Sequence, residues 1–388
     1  MRETVYQKLT EAQTCAEMDD YDCARELLED VKNMRNLSGY ETAQMWSFYA
    51  YIYFQEENYP EAISAYENVL KQENVTEGLQ LATLRSLAGL YMQQERYQEA
   101  LDTIDRWFAL DDNPGADAYM LKAQAYYSME KFADGIPPIL DALRVAEEQG
   151  KEPQEGWYQL LNVLYFETEN FPKVIETLTT MLEKWPKAEY MIQLASIYGQ
   201  EGDDARQVAL FQAAYAGGWL TRSADLVNLA QMLLQANVPY SAARVLEKGL
   251  DDGTIDSTLN NWRLLGQALN LAQEDEAALP AWSHASSLAE DGDIDHRLAQ
   301  SYYNLARWED CVESARTGLK RGGLNRPDQA NLLLGNCLVE LKKYGEAKEA
   351  FAAAEKDSRS RNAAKQWLDY IAGEEARERT NAITRRNL

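Results

Sequence analysis

Residues 46–70 read WSFYAYIYFQEENYPEAISAYENVL, with six aromatics in the first nine positions. The stretch divides at the polar QEENY. Before it, apolar residues recur at helical spacing through Trp46, Tyr49, Ala50 and Tyr53, and after it through Ala62, Tyr66 and Val69. The two segments predict a helical hairpin. Small Ala50 and Ala62 mark where antiparallel helices approach closely, and Tyr66 is the knob one turn beyond.

This hairpin recurs along the chain. Small residues stand at Ala12, Ala50, Ala88, Ala123, Ala195, Ala230, Gly266, Ala299 and Gly335, with Asn162 in the remaining slot, at spacings of 33 to 39 residues. Twelve residues after each comes a second, mostly small one, from Ala24 and Ala62 through Gly135 to Cys311 and Ala347. A large apolar residue follows four places later, among them Leu28, Ile104, Phe211, Trp282 and Phe351, with Ala315 the exception. Polar turns such as QQERY, SMEKF, ETENF and LKKYG close on an aromatic that should open each second helix. Gly218, Gly253 and Gly322 fall at equivalent places near the ends of second helices, where a left-handed residue is expected. Pro137 and Pro280 also coincide, which predicts second helices in those units that begin late, with proline in the first turn.

Repetition replaces a domain count based on length. The expectation is an all-α, right-handed alpha-alpha superhelix of about ten helix-turn-helix repeats over residues 1–361. A capping helix over 362–376 with Ala364, Trp367, Leu368 and Ile371 on one face follows, and then a polar, basic, frayed tail over 377–388.

Composition excludes several functions. With 63 acidic against 38 basic residues the net charge is -25, which repels phosphate backbones and anionic membranes, so nucleic acid is not an expected partner. No apolar run is long enough to span a membrane, and residues 1–30 lack a signal pattern, so either the protein is cytoplasmic or a leader has been removed. The four cysteines fall as Cys15 with Cys23 and Cys311 with Cys337, without metal-ligand spacing, and both two disulfides and four half-buried thiols fit that pattern.

Catalytic chemistry is not indicated. His284 and His296 are the two histidines and neither has a second ligand at metal spacing. EDGDIDH over 290–296 imitates a calcium loop through Asp291, Asp293 and Asp295, but His296 stands where glycine is needed and Tyr302 where glutamate is, so an inter-repeat turn is expected. Phosphate-binding glycine loops and nucleophile elbows are missing from the sequence, and no cofactor is called for.

Function should then lie on the concave face made by the first helices. One step after the first small residues and Asn162 stand Gln13, Tyr51, Gly89, Gln124, Val163, Ser196, Gln231, Gln267, Gln300 and Asn336, six of them amides. Four steps after them stand Ala16, Phe54, Met92, Tyr127, Phe166, Gly199, Leu234, Asn270, Tyr303 and Val339. Amides both donate and accept, which suits the main chain of an extended peptide, while the second row would pack apolar side chains. Arg85 and Arg263 are the groove cations for an acidic guest. The same rows also suit packing between neighbouring helices.

The repeated marks resemble the tetratricopeptide repeat, most closely at Trp46, Tyr49, Ala50, Tyr53, Ala62 and Tyr66, at Trp262, Leu265, Gly266, Ala278 and Trp282, and at Leu334, Gly335, Leu338, Ala347 and Phe351. The carboxylate clamp of chaperone-binding repeat domains is not matched in the first three units, where Leu9, Gln13, Ser47, Tyr51 and Gly89 stand at its places. Three longer stretches, residues 37–63, 238–253 and 332–371, resemble the repeat protein encoded alongside TonB-type energy-transduction systems of Gram-negative bacteria. That resemblance implies a periplasmic, non-catalytic scaffold that binds a protein or peptide segment, such as a TonB-system component or a TonB-dependent transporter. The alternative is a structural adaptor, possible in the cytoplasm, that assembles through its convex face or its ends and leaves the groove inert. A regulatory subunit of an enzyme has no supporting feature.

Overall fold

The computed structural model describes residues 1–386, which form helices and connecting turns with no strand among them. The chain divides into two compact units, Met1–Tyr190 and Met191–Leu388. The first unit carries the hairpins α1 (Glu3–Glu17) with α2 (Tyr21–Lys32), α3 (Gly39–Gln55) with α4 (Tyr59–Leu70), α5 (Glu77–Gln93) with α6 (Tyr97–Leu110), α7 (Ala116–Ser128) with α8 (Phe132–Glu148), and α9 (Glu155–Glu167) with α10 (Phe171–Lys184). The unit boundary falls in the first turn of α11 (Ala188–Gln200), which is followed by α12 (Asp204–Ala216). The second unit continues with α13 (Ser223–Gln235) and α14 (Pro239–Asp251), α15 (Leu259–Leu271) and α16 (Asp275–Leu288), α17 (Asp293–Asn304) and α18 (Trp308–Arg321), and α19 (Pro327–Glu340) and α20 (Tyr344–Glu355), closed by α21 (Arg361–Arg386).

The second small residue of the repeat occupies the fourth position of every second helix, from Ala24 in α2 to Ala347 in α20. Where the first small residue is glycine the knob is an aromatic seated on it. A Cβ on Gly266 would lie 2.6 Å from the Trp282 ring, and one on Gly335 would lie 2.5 Å from Phe351. Volume is thus traded across the hairpin so that close packing is kept.

The hairpin turns share one geometry that the sequence pattern did not announce. Two residues before each second helix the backbone takes a positive φ, at Asp19, Glu57, Glu95, Glu130, Glu169, Gly202, Asn237, Gln273, Ala306 and Lys342. The next amide reaches back to a carbonyl five residues earlier, as in Asn58 N to Tyr53 O at 2.8 Å and Arg307 N to Tyr302 O at 2.9 Å, which closes the first helix in a Schellman-type turn. The aromatics expected to open the second helices do so in α2, α4, α6, α8, α10, α18 and α20. Gly218, Gly253 and Gly322 have φ of 73°, 77° and 76°, as the inter-repeat turns required.

Two expectations are corrected. The second helices holding Pro137 and Pro280 do not start late: α8 begins at Phe132 and α16 at Asp275, which puts both prolines, together with Pro138, inside the helix. Each proline frees a carbonyl one turn earlier, at Ala133, Asp134 and Glu276, and all three residues are exposed, so water can take the missing bond. The tail does not begin at residue 377, because α21 runs unbroken to Arg386. Arg377 pairs with Glu374 at 2.5 Å and Arg379 with Glu375 at 4.0 Å along the helix, and Lys348 of α20 bonds Glu375 at 2.6 Å. Residues 387 and 388 of that tail lie outside the described residues.

Both disulfides are formed. Cys15–Cys23 ties α1 to α2, and Cys311–Cys337 ties α18 to α19 inside the core of the second unit. No free cysteine stands among the described residues.

Candidate functional site

First helices of successive repeats touch at α1 with α3, α5 with α7 and α17 with α19, and the expected site residues all lie on first helices. In the first unit Tyr51, Phe54, Tyr127 and Phe166 are 42%, 40%, 42% and 45% exposed on α3, α7 and α9, and Gln124 and Arg85 are exposed near them in sequence register. The aromatics of the opening stretch separate as their spacing predicts. Tyr49 is buried, its ring lies 5.4 Å from Trp46 and 5.9 Å from Tyr53, and its hydroxyl donates to Glu29 Oε2 at 3.2 Å. Burial, reinforced by Glu29, pushes that hydroxyl well above the usual tyrosine range, and burial beside Glu67 pushes Tyr91 up to about 12. Those tyrosines are framework, whereas Tyr51 faces solvent.

The four-step aromatics have a second occupation. Phe54 packs on Tyr59 at 6.0 Å, Tyr127 on Phe132 at 6.0 Å, Phe166 on Phe171 at 6.2 Å and Tyr303 on Trp308 at 5.4 Å, each partner being the first residue of the second helix. These contacts hold the rings in place and leave one face open. Met92 and Tyr303 are half-buried against the neighbouring cores.

Three residues of the rows do not face a guest. Ala16 and Val339 are buried. Asn270 is a clip: its Oδ1 accepts from the Trp282 indole at 2.6 Å and its Nδ2 donates to Asp275 and to Ser301 Oγ at 3.1 Å. An asparagine beside a buried indole is consumed by satisfying that indole.

In the second unit Gln231 on α13, Gln267 on α15 and Gln300 on α17 are exposed, and Gln300 donates to Asn304 at 3.2 Å. Arg263 and Gln267 are brought together in a cavity of about 260 Å³ that also holds His296, Arg297, Arg326 and Gln329. Row reading missed these four because they precede the small residue of their repeats or sit at a repeat boundary. The one signal available was that Arg263 and Arg297 lie 34 residues apart, one repeat length. Arg85, in contrast, already faces Asp117 at 3.9 Å. A larger open cavity of about 970 Å³ lies on α1 and α2 beside Cys15–Cys23 and holds none of the expected site residues.

The EDGDIDH segment is the inter-repeat turn. Asp291 accepts the Asp293 amide at 3.1 Å, Asp293 accepts the Asn325 amide at 3.0 Å, and buried Asp295 accepts from Ser286 and pairs with Arg321 at 3.0 Å. The same device appears as Glu41 with Arg2 at 3.1 Å and Asp328 with Arg326 at 2.6 Å, each a buried acid in the first turn of a first helix. The hydrogen bond from Arg2, with help from the Arg2 and Ser38 amides and against the cost of burial, lowers Glu41 to about 2. No group of three or more potential metal ligands converges among the described residues, and no described helix is long and apolar enough to cross a membrane.

Against known proteins, models of the tetratricopeptide repeat match residues 41–111, 85–151 and 296–365. The chain is an all-α solenoid built of tetratricopeptide repeats, a class whose members typically bind protein partners. Among solved structures it is similar to a tetratricopeptide repeat protein from Parabacteroides merdae, at 14% identity over 77% of this chain and 99% of that one, with a TM-score of 0.40. It is also similar to the C-terminal part of a repeat protein from Cytophaga hutchinsonii, at 12% identity over 74% and 99%, with a TM-score of 0.38. A chain in the structure of Naa15/Naa10 bound to HypK-THB has 13% identity over 95% and 67%, with a TM-score of 0.49. No curated protein matches the sequence.

Proposed function

We propose that this protein is a non-catalytic scaffold whose first-helix face binds an extended segment of a partner protein, in the periplasm and as an accessory of a TonB-dependent uptake system. The observation that carries the binding reading is the set of four large aromatics, Tyr51, Phe54, Tyr127 and Phe166, each at least two-fifths exposed on first helices of one unit. Apolar area in that amount is costly to leave in water unless something covers it. Gln124, Gln231 and Gln267 carry no side-chain hydrogen bond within the described residues, which leaves their amides available to a guest's main chain. Two disulfides favour an oxidising compartment, and the resemblance of residues 37–63, 238–253 and 332–371 to the TonB-associated repeat protein supplies the system.

In-cell crosslinking with mass spectrometry tests partner and compartment together. Wild-type protein should crosslink a TonB-system component or transporter, and Tyr51→Ala with Phe54→Ala, or Gln267→Ala with Gln300→Ala, should cut that yield while helix content and melting temperature stay nearly unchanged. Capture that survives all four changes refutes the binding face and favours an adaptor working through its other surfaces.

A further inference from the structure

The 260 Å³ cavity between α15, the start of α17 and the start of α19 is unlike the rest of this surface. In a chain with 63 acids and 38 bases most arginines have found a carboxylate, as Arg25, Arg144, Arg222, Arg307 and Arg316 have. Arg263 and Arg297 have not. Arg263 donates to Asn260 Oδ1 at 3.0 Å and Arg297 has no partner among the described residues, yet both line this one cavity. The lining carboxylate that could have neutralised them, Asp293, is turned to the Asn325 amide and side chain, and Arg326 is held in two bonds to Asp328. Gln267 and Gln329 add amides without an internal partner, and the buried His296 Nδ1 has none either. Of these atoms only His296 Nδ1 is buried, where a polar atom is normally satisfied; the Arg263, Arg297, Gln267 and Gln329 side chains are exposed, and their convergence on one cavity without a free carboxylate makes it a place for an acceptor. Burial and then Arg297 hold the His296 imidazole below its usual range, so it adds hydrogen-bonding capacity rather than charge at neutral pH.

The cavity lies below the usual volume range of small-molecule sites, which suits one side chain or chain end better than a free metabolite. We infer that it receives a single carboxylate carried by the partner segment, with Arg263 and Arg297 as the charged donors and Gln267 and Gln329 as the neutral ones. This deepens the proposed function and rests on it for the guest being a polypeptide. Its role is register. A net charge of -25 repels an acidic guest at long range and favours a neutral or basic segment, so one carboxylate on such a segment has a favourable place here.

The test uses the full chain and three calorimetric probes: the blocked peptide Ala-Ala-Ser-Glu-Ser-Ala-Ala amide, its Gln counterpart as the amide, and that Gln counterpart with a free C-terminal carboxylate. One of the two carboxylate peptides should bind roughly ten-fold or more tightly than the Gln amide, as expected for charge-assisted hydrogen bonds, and which one does identifies an internal acid or a chain terminus as the source. Arg263→Gln and Arg297→Gln should each erase the preference, whereas Arg85→Gln in the other unit should keep it. The inference is overturned by equal binding of all three peptides, by no binding of either carboxylate peptide, or by a preference that survives Arg297→Gln. Undiminished partner capture in the Tyr51/Phe54 variant with the carboxylate preference intact counts against the proposed function and not against the cavity. The reverse pattern counts against the cavity alone.

Discussion

Gly266 and Gly89 both sit inside first helices, and replacing each by alanine should change stability in opposite directions. Helix propensity favours alanine by about 1 kcal/mol at either site. At Gly89 a Cβ meets no heavy atom within 4 Å, so propensity decides and Gly89→Ala should stabilise by about 0.5–1 kcal/mol. At Gly266 the new carbon would lie 2.6 Å from the Trp282 ring, which is 1% exposed and anchored through its indole N–H to Asn270. Overpacking of that kind costs about 1–3 kcal/mol, so the net effect of Gly266→Ala is a loss of about 1 kcal/mol. Other repeats already contain the compensated pair, Ala12 with Leu28 and Ala230 with Leu246. Trp282→Leu alone leaves a void and strands Asn270, at roughly 2–4 kcal/mol. The double variant Gly266→Ala/Trp282→Leu should therefore lose at least about 1 kcal/mol less than the two singles together. Urea unfolding followed by far-UV circular dichroism, with unchanged m-values, measures all four proteins. If Gly266→Ala raises the midpoint as Gly89→Ala does, or if the two changes add within about 0.5 kcal/mol, the glycine–knob argument is wrong.

Glu41 supplies a pH test in the first unit. Its carboxyl, lowered to about 2 from 4.5, stabilises fully above about pH 4.5 and loses that contribution as pH falls through about 2, so the urea midpoint of the wild type should decline across this window more steeply than that of Glu41→Gln. Parallel declines would remove the Arg2–Glu41 contact from the stability of that unit. For the cysteines, protein taken from its native compartment and denatured without reductant should show no alkylatable thiol, and four reactive thiols would refute both bridges. Opening Cys311–Cys337, with sequence separation 26, should cost about 3.5 kcal/mol by loop entropy, against about 2.5 kcal/mol for Cys15–Cys23 with separation 8.

What could be read from the sequence was whatever one hairpin decides by itself. The small residues, the knobs and the aromatics opening second helices are all set by contacts within some 40 residues, so each repeat restates them and ten restatements leave little freedom. The exposure of Tyr51 beside buried Tyr49 follows from the same helical spacing. Features that depend on neighbours were less legible. Asn270 stands in a row position that reads as ligand-facing, and only the width of Trp282, twelve residues on, turns it into an internal clip. The late-helix rule for proline failed because it weighs the lost amide and ignores where the freed carbonyl lies, and the residues carrying it, Ala133, Asp134 and Glu276, are exposed, within reach of water. The turn residues make the sharpest case. Nine of the ten hairpin turns place a non-glycine residue in the left-handed region, including Ala306 at φ 55°. That conformation costs about 1–2 kcal/mol per residue, so glycine is the usual marker for it, yet here glycine appears once, at Gly202. The Schellman bond closes these turns without glycine's help, and in seven of the ten an aromatic opens the helix that follows, as Trp308, packed on Tyr303 of the preceding helix, does after Ala306. Tertiary packing can therefore impose a backbone state that local preference opposes. The Arg263–Arg297 cavity is hidden from the sequence for the same reason, since no single repeat contains it.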